Sequence, residues 1–511
     1  MAIKIVRCES PKSVKALVEM EELGAVAFPL EKVNGTKALP RNEDKKMIFR
    51  EDRGKTVLVP LYPEPVGKHK VLRQLTVEEV SQRNTKDEVW IIVNSRVYDV
   101  TSFVSKHPGG DLVIMHMAGK DCTDAFENYH QARITKNMLS QYLIGDVLDL
   151  PVYPHVEDFR AIRQELLRRG MFETSDAFYI KIYSFLLALF ASAMYFSLVC
   201  SSFAAHMLGA SFLGVFWQQL AGLGHDLGHS SVSHSFHSDH FVGSTVGCAF
   251  LGVSTAWWKR NHNTHHVACN SVENDPDIQH MPIMAVHENV FKEPYWSTYY
   301  SKWVTFDKAA QFLVSRQHYL FLPLMAVARF NLYAQSWILI LSTSIPMYNR
   351  KIEAACLLFF ATWVLSIALC MNSWAESVMW VLLSHAIAGV LHVQIVISHW
   401  AMETYKGRAY NDVSDEWYIT QLKTTMDINC PEWMDFVHIG LQFQVEHHLY
   451  PYVPRHNLRA VQTMVKQVCK KNGLPYHEMT FSRSVYATMK TLKDVAKTAS
   501  VREIIKEACS M

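Results

Sequence analysis

The sequence predicts a multi-domain chain: a small α+β domain, then an all-α membrane domain with four transmembrane helices and a cytosolic helical cap. Three observations predict it. Residues 182–224 run for 43 positions without Lys, Arg, Asp or Glu, residues 354–375 for 22, and residues 377–402 for 26 after a lone Glu376. Upstream, residues 73–150 hold two strand-like runs and a helical run around a His-Pro-Gly-Gly-Asp motif. Histidine, 25 residues in all, gathers in clusters just past the charge-free blocks.

A chain of 511 residues has room for two or three domains, and its formal charge of +2 leaves no basic footprint for nucleic acid. The ten cysteines are scattered with no C-x-x-C pair, as in a protein that faces the reducing cytosol. The N-terminal MAIKIVRCESPKSVK lacks the apolar core of a secretory signal, and the final KEACSM is neither a prenylation box nor a lumenal retention signal. Residues 1–72 mix charge, proline and short apolar runs, and no role is assigned to this extension.

In the small domain, VWIIVNSRVYDVTSF predicts two short strands with a turn at Asn94 and Ser95, and DCTDAFENYH predicts a helix. His107-Pro108-Gly109-Gly110-Asp111 places two glycines where the backbone can approach something large and flat. His130 lies 23 residues on. Two neutral imidazoles from opposite sides close a low-spin haem and leave no open position, which suits electron transfer. With the VYDVT strand, HPGGD, the His130 helix and YLIGDV together, residues 73–150 resemble a cytochrome b5 domain, with His107 and His130 as haem ligands. His116 is expected to be an ordinary surface residue.

In the membrane domain, residues 151–511, a spanning helix needs roughly 20 apolar residues. The first block therefore holds two spans, about 182–201 and 205–224, with a tight turn near Ser201, Ser202 and His206. The other blocks give spans at about 354–374 and 377–399. Arg163, Arg168, Arg169 and Lys181 precede the first span, Lys259 and Arg260 follow the second, and Lys423, Arg455, Arg459, Lys470 and Lys471 follow the fourth. The turns within each pair have no Lys or Arg, so both termini and the middle segment are expected in the cytosol. Residues 319–347 are apolar but interrupted by Arg329, and predict an interfacial helix.

Three histidine clusters follow: His225 and His229 in GHDLGH; His262, His265 and His266 in KRNHNTHH; Gln444, His447 and His448 in QVEHH. The offsets i, i+3 and i+4 put each cluster on one face of a helix. An even number of spans separates them, so all three emerge on one side and can converge. Seven histidines and a glutamine exceed the needs of one ion, which points to two metals. Imidazole-rich sites with open positions suit iron, copper or zinc. An attached one-electron donor is useless to zinc, so a redox metal is expected, with iron ahead of copper. His399, at the end of the fourth span, can either snorkel to the interface or act in the site. His234, His237 and His240 share no helical face and are expected to be supporting or surface residues; His280 and His287 are unassigned.

The three boxes, the paired spans and the fused haem domain resemble the membrane fatty-acyl and sphingolipid desaturases, and more narrowly the front-end desaturases, whose third box begins with Gln. The resemblance implies a di-iron centre held by His225, His229, His262, His265, His266, Gln444, His447 and His448, with His399 joining them. It further implies heme b, O2 as co-substrate, electrons from NADH through cytochrome b5 reductase, and a lipid substrate drawn from the bilayer. The segments WWKRNHNTHH, NDPDIQHMP, RFNLYAQSW and TTMDINCPEWMDF resemble Δ8-sphingolipid desaturases, especially of the fungal type. The expected activity is Δ8 desaturation of the long-chain base of a ceramide, in the endoplasmic reticulum membrane. The rival readings are a Δ6/Δ5-like acyl-lipid or acyl-CoA desaturase, a lipid hydroxylase, and a non-enzymatic haem electron carrier.

Overall fold

A computed structural model of the chain describes residues 47–52, 55–60, 72–130, 134, 137–279, 283–291, 294–407, 409–410 and 416–510. They form two compact units, Met1–Leu72 with His130–Leu143, and Arg73–Tyr129 with Ile144–Met511. The first unit contains an antiparallel hairpin of β1 (Met47–Asp52) and β2 (Lys55–Pro60). Most of the N-terminal extension, and His280, lie outside the described residues.

A five-stranded sheet is built from β3 (Arg73–Leu75), β4 (Asn84–Thr85), β5 (Glu88–Val93), β6 (Arg96–Asp99) and β7 (Leu143–Val147), in the order β3-β7-β6-β5-β4. β5 and β6 pair antiparallel across Asn94 and Ser95, with φ of 53° and 59°. That two-residue turn has the twist a hairpin needs. Leu75, Val80, Trp90, Ile92, Val97 and Val147 form the core of this domain. α1 (Asp111–Met117) starts directly after Gly110, whose φ of 99° suits glycine, and α2 (Thr123–Tyr129) follows. His116 is buried, not exposed as expected: on α1 it shares the inward face with Val113.

α3 (Pro154–Arg168) buries Val156, Phe159, Ile162 and Leu166 along one stripe. Next come α4 (Asp176–Leu198) and α5 (Phe203–Gly228), the polar α6 (Thr255–Ala268), and the apolar α7 (Gln317–Val327), α8 (Arg329–Leu341), α9 (Arg350–Leu369), α10 (Trp374–Ala388) and α11 (Val390–Val396). Ser175, Ser202, Ser254 and Ser373 each accept a backbone N–H at the start of their helix, which ends the preceding turn and fixes the entry point. α4 and α5 lie antiparallel, and α10 packs along α5 at Gly214, where a Cβ would stand 2.7 Å from the Ser384 carbonyl oxygen.

The four-span expectation is met in part. Among the described residues, α4, α9 and the continuous Trp374–Val396 stretch are long and apolar enough to cross a membrane. They carry outward-facing Leu187, Leu198, Leu358, Leu365, Leu369 and Leu382. α5 stands where the second span was expected, but His206, Gln218 and Gln219 dilute its apolar character. Gln218 donates to Gln394 at 3.0 Å and Gln219 to the Phe436 carbonyl at 2.8 Å; His206 pairs with Glu376 at 2.6 Å. α7 and α8 meet at a 67° bend and together would count as a broken span; a second bent pair, Phe236–Leu251 with α6, turns by 105°. Arg329 marks that first bend instead of facing a polar interface. It is buried, donates to the Leu251 carbonyl and the Tyr333 hydroxyl, and lies over the Trp217 ring at 4.5 Å.

The C-terminal part supplies α12 (Trp417–Thr424), α13 (Gln444–Leu449), α14 (Leu458–Asn472) and α15 (Phe481–Ser510). α14 packs on α3 and on α13, which holds the third box against the rest.

Candidate metal centre

The helical offsets read from the sequence become three aligned faces. His225 and His229 end α5, His262, His265 and His266 line α6, and Gln444, His447 and His448 make most of the short α13. Their ligand atoms converge in two groups. His225, His229, His262 and His447 form one; His265, Cys269, His399 and His448 form the other; within each, the donor atoms lie within 4.8 Å of one another. His266 joins them: its Nε2 is 3.0 Å from Nε2 of both His262 and His447, and its ring stacks on His448 at 4.1 Å. Gln444 is buried on the same turn as His447 and lines a cavity with His225, His229 and His447; its side chain also bonds His399.

The outer ring nitrogens are committed to acceptors, which aims the inner ones at the centre. His265 Nδ1–H donates to the Asp275 carboxylate at 3.0 Å, His448 Nδ1–H to Gln421 Oε1 at 2.9 Å, and His399 Nδ1–H to the Thr424 carbonyl at 3.3 Å. Such partners fix tautomer and orientation for metal binding. Among the described residues, the buried Nε2 of His225, His229 and His448 finds no hydrogen-bond partner. Buried polar atoms without partners are rare, and a shared cation is the partner this convergence fits. Burial holds the pKa of His447 and of His448 well below the usual imidazole value, so their lone pairs are free of protons.

Glu446 faces the other way. It and Asp427 are buried, and burial pushes both carboxyl pKa values up, Glu446 the further because Asp427 adds to the burial. Asp427 accepts from the Val445 N–H at 3.0 Å, from Gln462 at 2.7 Å and from the Tyr476 hydroxyl at 2.5 Å, and the Tyr476 oxygen lies 2.9 Å from Glu446 Oε1. This clamp sets the rotation of α13, and with it the aim of His447 and His448.

Cys269, Asp275 and Gln421 were missed in the sequence. Cys269 stands four residues after His265, a helical offset that signalled it; nothing in the local pattern pointed to Gln421. Of the remaining histidines, His240 is buried 3.9 Å from Glu353, His234 touches the Thr174 hydroxyl at 3.0 Å, and His237 is exposed.

In the small domain His107 Nδ1–H donates to the Gly110 carbonyl at 2.8 Å, which sets the tautomer and orients the ring as in a metal-binding imidazole. A Cβ on Gly109 would stand 2.8 Å from His107 Cε1, so glycine keeps the ring's edge clear. That donor chemistry fits haem. His130 directly follows α2, in the other compact unit.

The family model described as Fatty acid desaturase matches residues 201–480, and the one described as Cytochrome b5-like Heme/Steroid binding domain matches residues 76–148. A Delta(8)-fatty-acid desaturase of Helianthus annuus is 37% identical over 425 residues, 83% of this chain and 92% of its own. An Acyl-lipid (9-3)-desaturase of Borago officinalis is 35% identical, covering 85% of this chain and 96% of its own. A Delta 8-(E)-sphingolipid desaturase of Emericella nidulans is 30% identical, covering 82% and 94%. Identity is thus higher to these plant proteins than to the fungal one, the reverse of the lean in sequence texture.

Proposed function

We propose, from the premise that this chain belongs to the fatty acid desaturase family, that it introduces a Δ8 double bond into the long-chain base of a sphingolipid such as ceramide. The observation that carries the reading is the convergence of six box imidazoles and His399 into two adjacent groups, with the seventh, His266, against both. In this reading His225, His229, His262 and His447 hold one iron and His265, His399 and His448 the other, with His266 between them and Gln444 touching both sets. His107 and His130 hold heme b in residues 73–150, and residues 151–511 form the desaturase domain. When bound, the iron pair supplies the O2 chemistry that removes two hydrogens from an unactivated methylene pair.

The protein's own part is positional. Asp275, Gln421 and the Asp427–Glu446 clamp hold the imidazoles in place. Electrons enter from NADH through cytochrome b5 reductase. The outward apolar faces of α4, α9 and α10 suit a substrate taken from the bilayer of the endoplasmic reticulum, with the metal groups on its cytosolic side.

A second reading, an acyl-lipid desaturase, draws on the 35% identity to the Acyl-lipid (9-3)-desaturase. The two separate on expression in a yeast that makes neither product, followed by mass spectrometry of long-chain bases and fatty acids. An 8-unsaturated long-chain base is the expected result. A new double bond confined to acyl chains would favour the second reading, and a hydroxylated base without unsaturation would refute both.

A further inference from the structure

We propose that Tyr129 is the electron bridge from the haem domain to the metal centre, its ring delivering the electron onto His266. The inference rests on the desaturase reading above. Tyr129 is the last residue of α2 and is bonded through the chain to His130. Its ring meets that of His266 edge-on, centroids 5.8 Å apart at 85°, and that of Trp417 at 6.1 Å and 84°. From His266, Nε2 lies 3.0 Å from His262 and from His447, and the ring stacks on His448. One side chain thus joins the residue next to one haem ligand to an imidazole that touches both metal groups.

The contact is held on several sides. Asp124 on α2 takes two hydrogen bonds from Arg160, each 2.8 Å, and one from the Tyr418 hydroxyl at 3.0 Å. Arg163 donates to the Glu127 carbonyl at 2.8 Å. The loop after His107 docks on the helix that carries the second box: Asn263 donates to the Gly109 carbonyl at 3.4 Å, and Arg260 pairs with Asp111 at 2.5 Å. Among the described residues the buried Tyr129 hydroxyl has no hydrogen-bond partner to take its proton, so the ring acts as a contact and is not itself oxidised. In each passage one electron leaves ferrous haem, which becomes ferric, and turns one ferric ion of the pair ferrous. No bond forms or breaks and no proton moves at Tyr129. The external reductase restores the haem.

The test uses full-length protein loaded with haem and non-haem iron. Under argon, the haem is flash-reduced by a photosensitiser and the decay of its ferrous absorbance is followed, the ferric pair being the acceptor. In the parent, decay faster than in iron-depleted protein is expected; equal decay would sink the desaturase reading itself. Tyr129→Leu and Tyr129→Met are expected to slow the iron-dependent decay by about tenfold or more, with haem spectrum, haem potential and iron content unchanged. Two aliphatic variants guard against one failing to load haem. Tyr129→Phe is expected to decay as the parent does. Parent-like decay in the aliphatic variants, or a Tyr129→Phe decay as slow as theirs, would overturn the proposal.

Discussion

Within QVEHH, neighbouring residues have opposite duties: His447 and His448 face the metal groups, while Glu446 turns away to the Asp427–Tyr476 clamp. Replacing Asp427 by Ala strips the Val445 N–H, Gln462 and Tyr476 of their acceptor, and an orphaned buried group costs roughly 1–3 kcal/mol. Asp427→Ala is therefore expected to lower the melting temperature in detergent and to lose non-haem iron. Glu446→Gln, which keeps a neutral hydrogen-bonding side chain in place of a protonated carboxyl, is expected to retain both. Asp275→Asn removes the charged acceptor of His265, and loss of such a partner typically weakens metal binding about 10–100-fold. Iron retained after dialysis against a graded chelator series measures this. The inward-facing histidines were legible because their offsets are local. Asp275 and Gln421 were not, since folding alone brings them to His265 and His448.

At the level of elements, the apolar blocks located α4, α9 and the Trp374–Val396 stretch, and the capping Ser175 and Ser373 explain where the first and the last of these begin. α5 was harder to judge from composition, because its polar side chains are satisfied by other helices that the sequence does not reveal. Its packing rests on close approach: at Gly214 a Cβ would meet the Ser384 oxygen at 2.7 Å and Ile387 Cβ at 2.7 Å. Overfilling a packed interface typically costs ~1–3 kcal/mol. Gly214→Val is expected to lower the thermal midpoint and, because α5 ends in His225 and His229, to loosen iron as well; melting curves recorded beside iron assays check both. Arg329 misled the sequence reading in the opposite direction. A charge within an apolar run suggests a surface, yet here the Leu251 carbonyl, the Tyr333 hydroxyl and the Trp217 face absorb it at a helix bend.

Across the whole molecule, the proposed haem ligands and the proposed iron ligands are different residues, so each site is expected to be removable alone. His107→Ala is expected to abolish the haem absorbance and product formation while non-haem iron stays bound. His447→Ala is expected to do the converse, keeping the haem spectrum and losing iron and product. Visible spectra, iron analysis and lipid mass spectrometry on the same preparations read all three quantities. The small domain itself was legible from its hairpin and its HPGGD motif; how it is fastened was not, because Arg160, Arg163, Arg260 and Tyr418 are scattered along the chain and share no motif.

That fastening has a kinetic corollary. A donor clamped by Asp124 and Asp111 need not search for its acceptor, since tethering replaces a second-order encounter by a step within one molecule. On the proposed electron path, diluting the enzyme in lipid should leave the internal hop unaltered and slow only the encounter with an external reductant.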